Sequence, residues 1–145
     1  MKVSLTQTEN TRFEATTSRG VKFDIEPKER VSPLEYFAIA TIACSATDIV
    51  SLSAKAGKPA GNLTIEGEFD RSDGAPYRVV SIHILYSFDS GGLDAEALKW
   101  VLSSLESYCT TINTVRGVAK VYYSIAHNGK LIADRASIAS GESGA

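Results

Sequence analysis

The chain has 145 residues, 43% of them hydrophobic and 22% charged, with a formal net charge of −2, which are the dimensions of one ordinary globular domain. No Lys/Arg stripe offers a phosphate backbone a footprint and no acidic block makes a solvating tail, so a nucleic-acid partner is not expected. The longest apolar-rich stretch, Tyr36 to Cys44, has nine residues where a bilayer needs roughly 20, and no signal-peptide core precedes it, so no membrane partner is expected and the cytoplasm is the default compartment.

The first quarter predicts a meander of three short strands. Val3 and Leu5 alternate with Ser4 and Thr6, Phe13 and Ala15 with Glu14 and Thr16, and Val21, Phe23 and Ile25 with Lys22, Asp24 and Glu26. Turn residues Glu9-Asn10 and Ser18-Arg19-Gly20 separate them, which is the half-buried antiparallel pattern. Pro27 closes the meander. Ser32-Pro33-Leu34-Glu35 then starts a helix, with Ser32 as N-cap, Pro33 at the first helical position and Glu35 completing a capping box. The helix runs to about Ala56, before Gly57 and Pro59, and is apolar nearly all round its middle, as expected of a helix covered on most sides.

Leu63, Ile65 and Phe69 mark the next strand. A turn at Ser72-Asp73-Gly74 leads to a long strand from Tyr77 to Phe88, with Val80, Ile82, Ile84, Tyr86 and Phe88 on one face. Asp94 begins a second helix whose stripe is Leu98, Val101, Leu102, Leu105, Cys109 and Ile112. Val118 to Ala126 with Asn128-Gly129 reads as a last strand and a tight hairpin turn. The expected class is α+β, mostly antiparallel, in the order β-β-β-α-β-β-α-β. One domain over residues 1–136 is expected, with a frayed polar tail at 137–145.

Phosphate-loop, dinucleotide and nucleophile-elbow motifs are absent, and no cofactor is implied. Cys44, Cys109, His83 and His127 match a zinc site in number only; each stands alone without C-x2-C or H-x3-H spacing, so no metal site is expected from them. His83 falls on the strand face opposite Ile82 and Ile84, and His127 precedes a turn at the surface. The two cysteines remain. Each sits on the apolar face of a helix, where a lone cysteine serves as a small hydrophobe, but here both central helices direct one inward. In a reducing compartment such a pair is reduced or redox-active rather than a structural disulfide.

Ser32-Pro33-Leu34-Glu35-Tyr36-Phe37-Ala38-Ile39-Ala40-Thr41-Ile42-Ala43-Cys44-Ser45-Ala46-Thr47-Asp48-Ile49-Val50 resembles the long-helix signature of the OsmC/Ohr family, with its Pro, helix, Ala-Cys and Asp-Ile-Val. Leu105-Glu106-Ser107-Tyr108-Cys109-Thr110-Thr111-Ile112-Asn113-Thr114 resembles the family's second cysteine segment, and the 65-residue separation of the cysteines is typical of it. The resemblance extends to about Ile132. It implies an OsmC-like fold and a thiol-dependent peroxidase acting on organic hydroperoxides or hydrogen peroxide in oxidative stress defence. Cys44 would be the peroxidatic cysteine and Cys109 the resolving one, with an external dithiol, in one branch a lipoylated protein, as reductant. The alternative is a protein of the same fold that binds a small hydrophobic or electrophilic ligand without peroxide turnover.

Thiolate formation is the physical difficulty. A free cysteine is only about 3% ionised at pH 7, and Cys44 lies too deep in its helix for the N-terminal dipole to help. Burial opposes ionisation further, so lowering the pKa by about 3 units takes about 4 kcal/mol from elsewhere. The family resemblance implies an arginine from the N-terminal sheet, held by an acid on the first turn of the long helix. Arg19 matches the arginine, with Arg12 and Arg30 as alternatives, and Glu35 is the candidate acid. Glu35 stands one place later than the Pro-Glu of the peroxidase branch, and Pro-x-Glu resembles less characterised OsmC-like branches. Asp48, one turn after Cys44, is another possible arginine partner, but its charge would raise the thiol pKa. The apolar girdle of the long helix also exceeds what one small sheet covers. An obligate homodimer is therefore expected, with an interface above about 2,000 Å², and the family resemblance, which implies intertwined dimers with active sites at the interface, would place Arg19 of one chain near Cys44 of the other.

Overall fold

Three hydrogen-bonded strands come first in the computed structural model, which describes residues 1–91 and 93–138. They are β1 (Ser4–Glu9), β2 (Arg12–Thr16) and β3 (Lys22–Ile25), antiparallel throughout in the order β1-β2-β3. The expected turns are present: Asn10 and Gly20 both take positive φ, 45° and 79°, which asparagine and glycine tolerate best. Register places Leu5, Ala15 and Phe23 in one row and Phe13 opposite Ile25, so the apolar residues share a face as the alternation requires. Ala15 is buried, while Leu5 and Phe23 keep 60% and 44% of their surface exposed, so the chain itself leaves much of that apolar face open. The opposite face carries the Lys22–Glu14 ion pair. These strands belong to the first of two compact units, Met1–Ile39 and Ala40–Ala145.

Helix α1 (Pro33–Lys55) begins where the capping residues place it. Ser32 Oγ accepts from the Glu35 N–H at 3.2 Å, while Glu35 Oε2 accepts from the Ser32 N–H at 2.7 Å and its hydroxyl at 2.8 Å. Gly57 with φ 69° ends the helix. Full burial within one chain follows a single stripe, Thr41, Ser45, Ile49 and Ser53, at helical spacing. Three of the four are polar, and Ser45 and Ser53 satisfy their hydroxyls on the carbonyls of Ile42 and Val50. Phe37, Ile39 and Val50 stay exposed, so the covering of most sides expected for this helix is not supplied by its own chain. With a mean hydropathy of 1.6 across an 18-residue window, α1 is long and apolar enough to cross a membrane. The nine-residue stretch from Tyr36 to Cys44 misses this, because Ser45 ends it without making the helix strongly polar.

The second unit is built on a four-stranded sheet, β4 (Ala60–Arg71), β5 (Val79–Gly91), β6 (Lys120–His127) and β7 (Lys130–Ser137), in the order β4-β5-β6-β7. Pairings are antiparallel except β5–β6, which is parallel and therefore needs a crossover. That crossover is α2 (Ala95–Tyr108) and α3 (Thr110–Val115). The class is α+β, as expected. Ile82, Ile84, Tyr86 and Phe88 on β5 are almost fully buried, the face the alternation selects, and pack with Ile49, Val101, Leu102, Leu105 and Ile112. Asp94 caps α2, accepting from the Ala97 N–H at 2.7 Å and pairing with Lys58 at 2.8 Å.

Two elements differ from the sequence reading. The second helix is not continuous: Cys109, with φ −72° and ψ 107°, ends α2 and precedes α3. The three-and-four spacing of Leu105, Cys109 and Ile112 continues across the break, so periodicity alone does not reveal it. The last hairpin has a full second strand, which runs to Ser137 and is followed by buried Ile138, beyond the expected boundary at 136. The rest of the expected tail, from 139 onward, lies outside the described residues.

Candidate active site

Helix α1 presents Cys44 and, one turn later, Asp48. The break between α2 and α3 delivers Cys109 to the same place, with its thiol donating to the Cys44 sulfur at 3.4 Å. Both cysteines are free thiols. They are not equivalent, since Cys109 is fully buried and Cys44 is partly open.

The extended residue at the helix break also turns Thr111 toward the pair. Its hydroxyl lies 3.6 Å from the Cys109 sulfur and donates to the Thr41 carbonyl at 3.3 Å. Burial pushes the Cys44 thiol up, but the neighbouring Thr111 N–H and side chain and the Cys109 thiol outweigh it, and the net direction is down despite the nearby Asp48 charge. Cys109 moves the opposite way. Burial raises it first, and the neighbouring Cys44 sulfur adds to the rise. Some of the help that Cys44 needs to ionise is therefore built into the α2–α3 junction. Sequence reasoning looked only for a cation and missed Thr111; the signal available was the helix-poor run Ser107-Tyr108-Cys109-Thr110-Thr111.

Two buried polar atoms beside the pair have no hydrogen-bond partner among the described residues, Asp48 Oδ2 and Tyr86 Oη. Burial raises the Tyr86 hydroxyl pKa; the neighbouring Ser45 hydroxyl opposes the rise, and Cys109 and Asp48 add to it. The Ser45 hydroxyl beside it is committed to the Ile42 carbonyl.

The other expected site residues lie in the first unit. Arg19 is exposed in the turn between β2 and β3. Glu35 closes the capping box, and the Ser32 N–H and then the Ser32 hydroxyl hold its carboxyl below the usual range. Among the described residues Arg19 and Glu35 form no ion pair, and Arg12 is paired with Glu29. His83 lies away from the cysteines in a separate cluster. Its Nε2 is 2.8 Å from Ser124 Oγ and its Nδ1 3.4 Å from Glu68 Oε2, the order of a serine nucleophile, its base and an acid. The Ser124 hydroxyl, however, accepts from the Arg135 N–H and directs its one proton to Asp134 Oδ1 at 3.1 Å. His83 therefore donates to Ser124 rather than taking its proton, and the group acts as a clasp across β5, β6 and β7. His127 stacks on Phe88 with ring centroids 4.8 Å apart and is half-buried rather than at the surface.

A family model described as OsmC-like protein matches residues 26–124, a span that contains both cysteines. The chain belongs to the OsmC-like family. Solved structures agree on the fold. An OsmC-like protein from Mycoplasma pneumoniae superposes with a TM-score of 0.75 at 12% identity, over 87% of this chain and 95% of that one. A hypothetical protein from Aquifex aeolicus VF5 gives 0.73 at 21% identity, over 88% and 96%. The organic hydroperoxide resistance protein OhrB of Bacillus subtilis gives 0.61 at 16% identity, over 86% and 98%. No curated protein matches the chain. In OsmC-like terms, the strand meander and the long helix follow the expected order, while Cys109 stands at a break rather than inside a continuous second helix.

Proposed function

We propose that this OsmC-like chain is a thiol-dependent peroxidase that reduces organic hydroperoxides or hydrogen peroxide through a Cys44–Cys109 dithiol–disulfide cycle, in oxidative stress defence. The observation that carries the reading is the 3.4 Å approach of the two sulfurs, with the more open Cys44 also the more readily ionised. A disulfide bond of about 2.05 Å needs only a modest closing movement from there.

In the cycle the Cys44 thiolate attacks the O–O bond. The distal oxygen is transferred to sulfur, the alcohol (or water) leaves after taking up a proton, and Cys44 becomes a sulfenic acid. Cys109 then attacks the Cys44 sulfur, releasing water as the disulfide forms. The peroxide gains the two electrons that the thiol pair loses, and an external dithiol, in one form a lipoylated protein, returns them by exchange. The Thr111 N–H and hydroxyl support the attacking thiolate. Arg19 is assigned as the further activating cation, supplied by one protomer of a homodimer to Cys44 of the other. Glu35 is the acid assigned to hold it, with Oε2 kept by the two capping bonds and Oε1 left for the arginine. The exposed apolar faces of α1 and the β1–β3 sheet support the homodimer.

The test is to count free thiols while titrating a hydroperoxide. Two thiols per chain should be lost near stoichiometric peroxide in the wild type. Cys44→Ser should consume none, and Cys109→Ser should turn over once and leave Cys44 as a trappable sulfenic acid. Trapping Cys109 instead would reverse the roles, and unchanged thiols would leave the same fold as a small-ligand binder.

A further inference from the structure

Outside the peroxide chemistry, the same corner of the second unit has the donors of a metal centre. The sulfurs of Cys44 and Cys109 and a carboxylate oxygen of Asp48 all lie within 4.8 Å of one another. We propose that the reduced Cys44–Cys109 pair and the Asp48 carboxylate form a three-donor site for Zn²⁺.

Three observations carry this. First, the sulfurs stand 3.4 Å apart, whereas two Zn–S bonds of about 2.3 Å at a tetrahedral angle hold sulfurs roughly 3.7 Å apart. A few tenths of an ångström separate the thiol pair from a chelate. Second, Cys44 and Asp48 are one helical turn apart on α1, so two donors come from one rigid element and the third from the α2–α3 junction. Third, the carboxylate is poorly served without a cation. Asp48 Oδ2 is buried with no hydrogen-bond partner among the described residues. A buried acceptor left unpaired is costly, and a coordinated cation removes that cost.

The donor set selects the ion. Two thiolates and one carboxylate suit borderline-soft Zn²⁺ and not Mg²⁺ or Ca²⁺, which take oxygen. With three protein donors the fourth tetrahedral position is left to water or a small ligand. On binding, each thiol releases its proton to solvent and no electron moves. The metal and the disulfide use the same sulfurs, so each excludes the other. The four-residue set of cysteines and histidines considered from sequence is not the one assembled here: Asp48 takes the place of His83 and His127. The site needs only a reduced pair and not peroxide turnover, so it stands or falls independently of the peroxidase reading.

The experiment is an anaerobic titration of the full, reduced chain with ZnCl₂ against a chromophoric zinc chelator of submicromolar affinity. One Zn²⁺ per chain is expected, with both thiols protected from alkylation while it is bound. Wild-type protein oxidised to the disulfide, or alkylated at both cysteines, should take up none. Asp48→Asn should bind at least tenfold more weakly with an unchanged circular dichroism spectrum. Co²⁺ offered to the wild type should give sulfur-to-metal charge-transfer absorption with tetrahedral ligand-field bands, a readout that does not depend on any variant folding. Zinc left wholly with the chelator, equal binding by Asp48→Asn, or an octahedral cobalt spectrum without charge transfer would each overturn the site.

Discussion

The Cys44 sulfur accepts from the Cys109 thiol and has Thr111 beside it to favour its thiolate, whereas Cys109 at the other end of the 3.4 Å contact is fully buried. That asymmetry is the physical support for the proposed attacking and resolving roles, and it puts Thr111 to the test as a positioning residue. Thr111→Val removes the hydroxyl and keeps the N–H and the shape. Donors that favour the thiolate lower its pKa, so losing one moves the Cys44 titration upward. Water at the partly open sulfur returns some of what is lost. The alkylation rate of Cys44 in Thr111→Val should therefore fall several-fold at neutral pH and converge on wild type at alkaline pH. A profile that superposes on wild type at every pH would remove Thr111 from the activation. The cysteines themselves were legible in the sequence because a spacing and two flanking segments mark them. Thr111 was not, because its contribution comes from a backbone N–H freed by an extended residue, and no periodicity encodes that.

Helix starts and strand faces were the most readable elements, since each depends on neighbours in sequence. The Ser32–Glu35 capping box and the Asp94 cap formed as written, and the β5 face alternates as its side chains require. What escaped depends on distant contacts: the parallel β5–β6 pairing, the break at Cys109 and the completed β7. Gly67 is another such case. On β4 it lies under α1, where an added Cβ would meet Phe69 Cε2 at 2.8 Å and Ile42 Cγ2 at 3.1 Å, both on side chains packed against the core. Nothing in Glu66-Gly67-Glu68 announces that a helix crosses there. Gly67→Ala should force those neighbours apart and cost about 1–3 kcal/mol, read as a lower urea midpoint at unchanged slope. A midpoint equal to wild type would mean that α1 does not lie so close to the strand.

Taken as a whole, the molecule exposes apolar surface that its own chain does not cover: Leu5, Val21 and Phe23 on the first sheet, Phe37, Ile39 and Val50 on α1. Exposed apolar faces mark interaction surfaces, and a second copy is the partner already required if Arg19 is to serve Cys44 across subunits. Light scattering at micromolar concentration should give the mass of a dimer, and a monomer would withdraw both the homodimer and the Arg19 assignment. The position of the cysteines in the chain has a further consequence for the molecule as a whole. They are 65 residues apart, one on the first helix and one inside the β5–β6 crossover, so joining them ties a large loop in the unfolded chain. Loop-closure entropy then favours the folded, oxidised form by as much as about 4 kcal/mol over its reduced counterpart. The oxidised protein should melt several degrees higher by calorimetry, and equal melting temperatures would show that the closed bond strains the native state by an equal amount. By the same thermodynamic cycle, whatever stability the closed bond confers on the fold also lowers its reduction potential, by up to roughly 90 mV for the full effect. A reductant of this disulfide must work against the folding equilibrium as well as against the sulfur–sulfur bond.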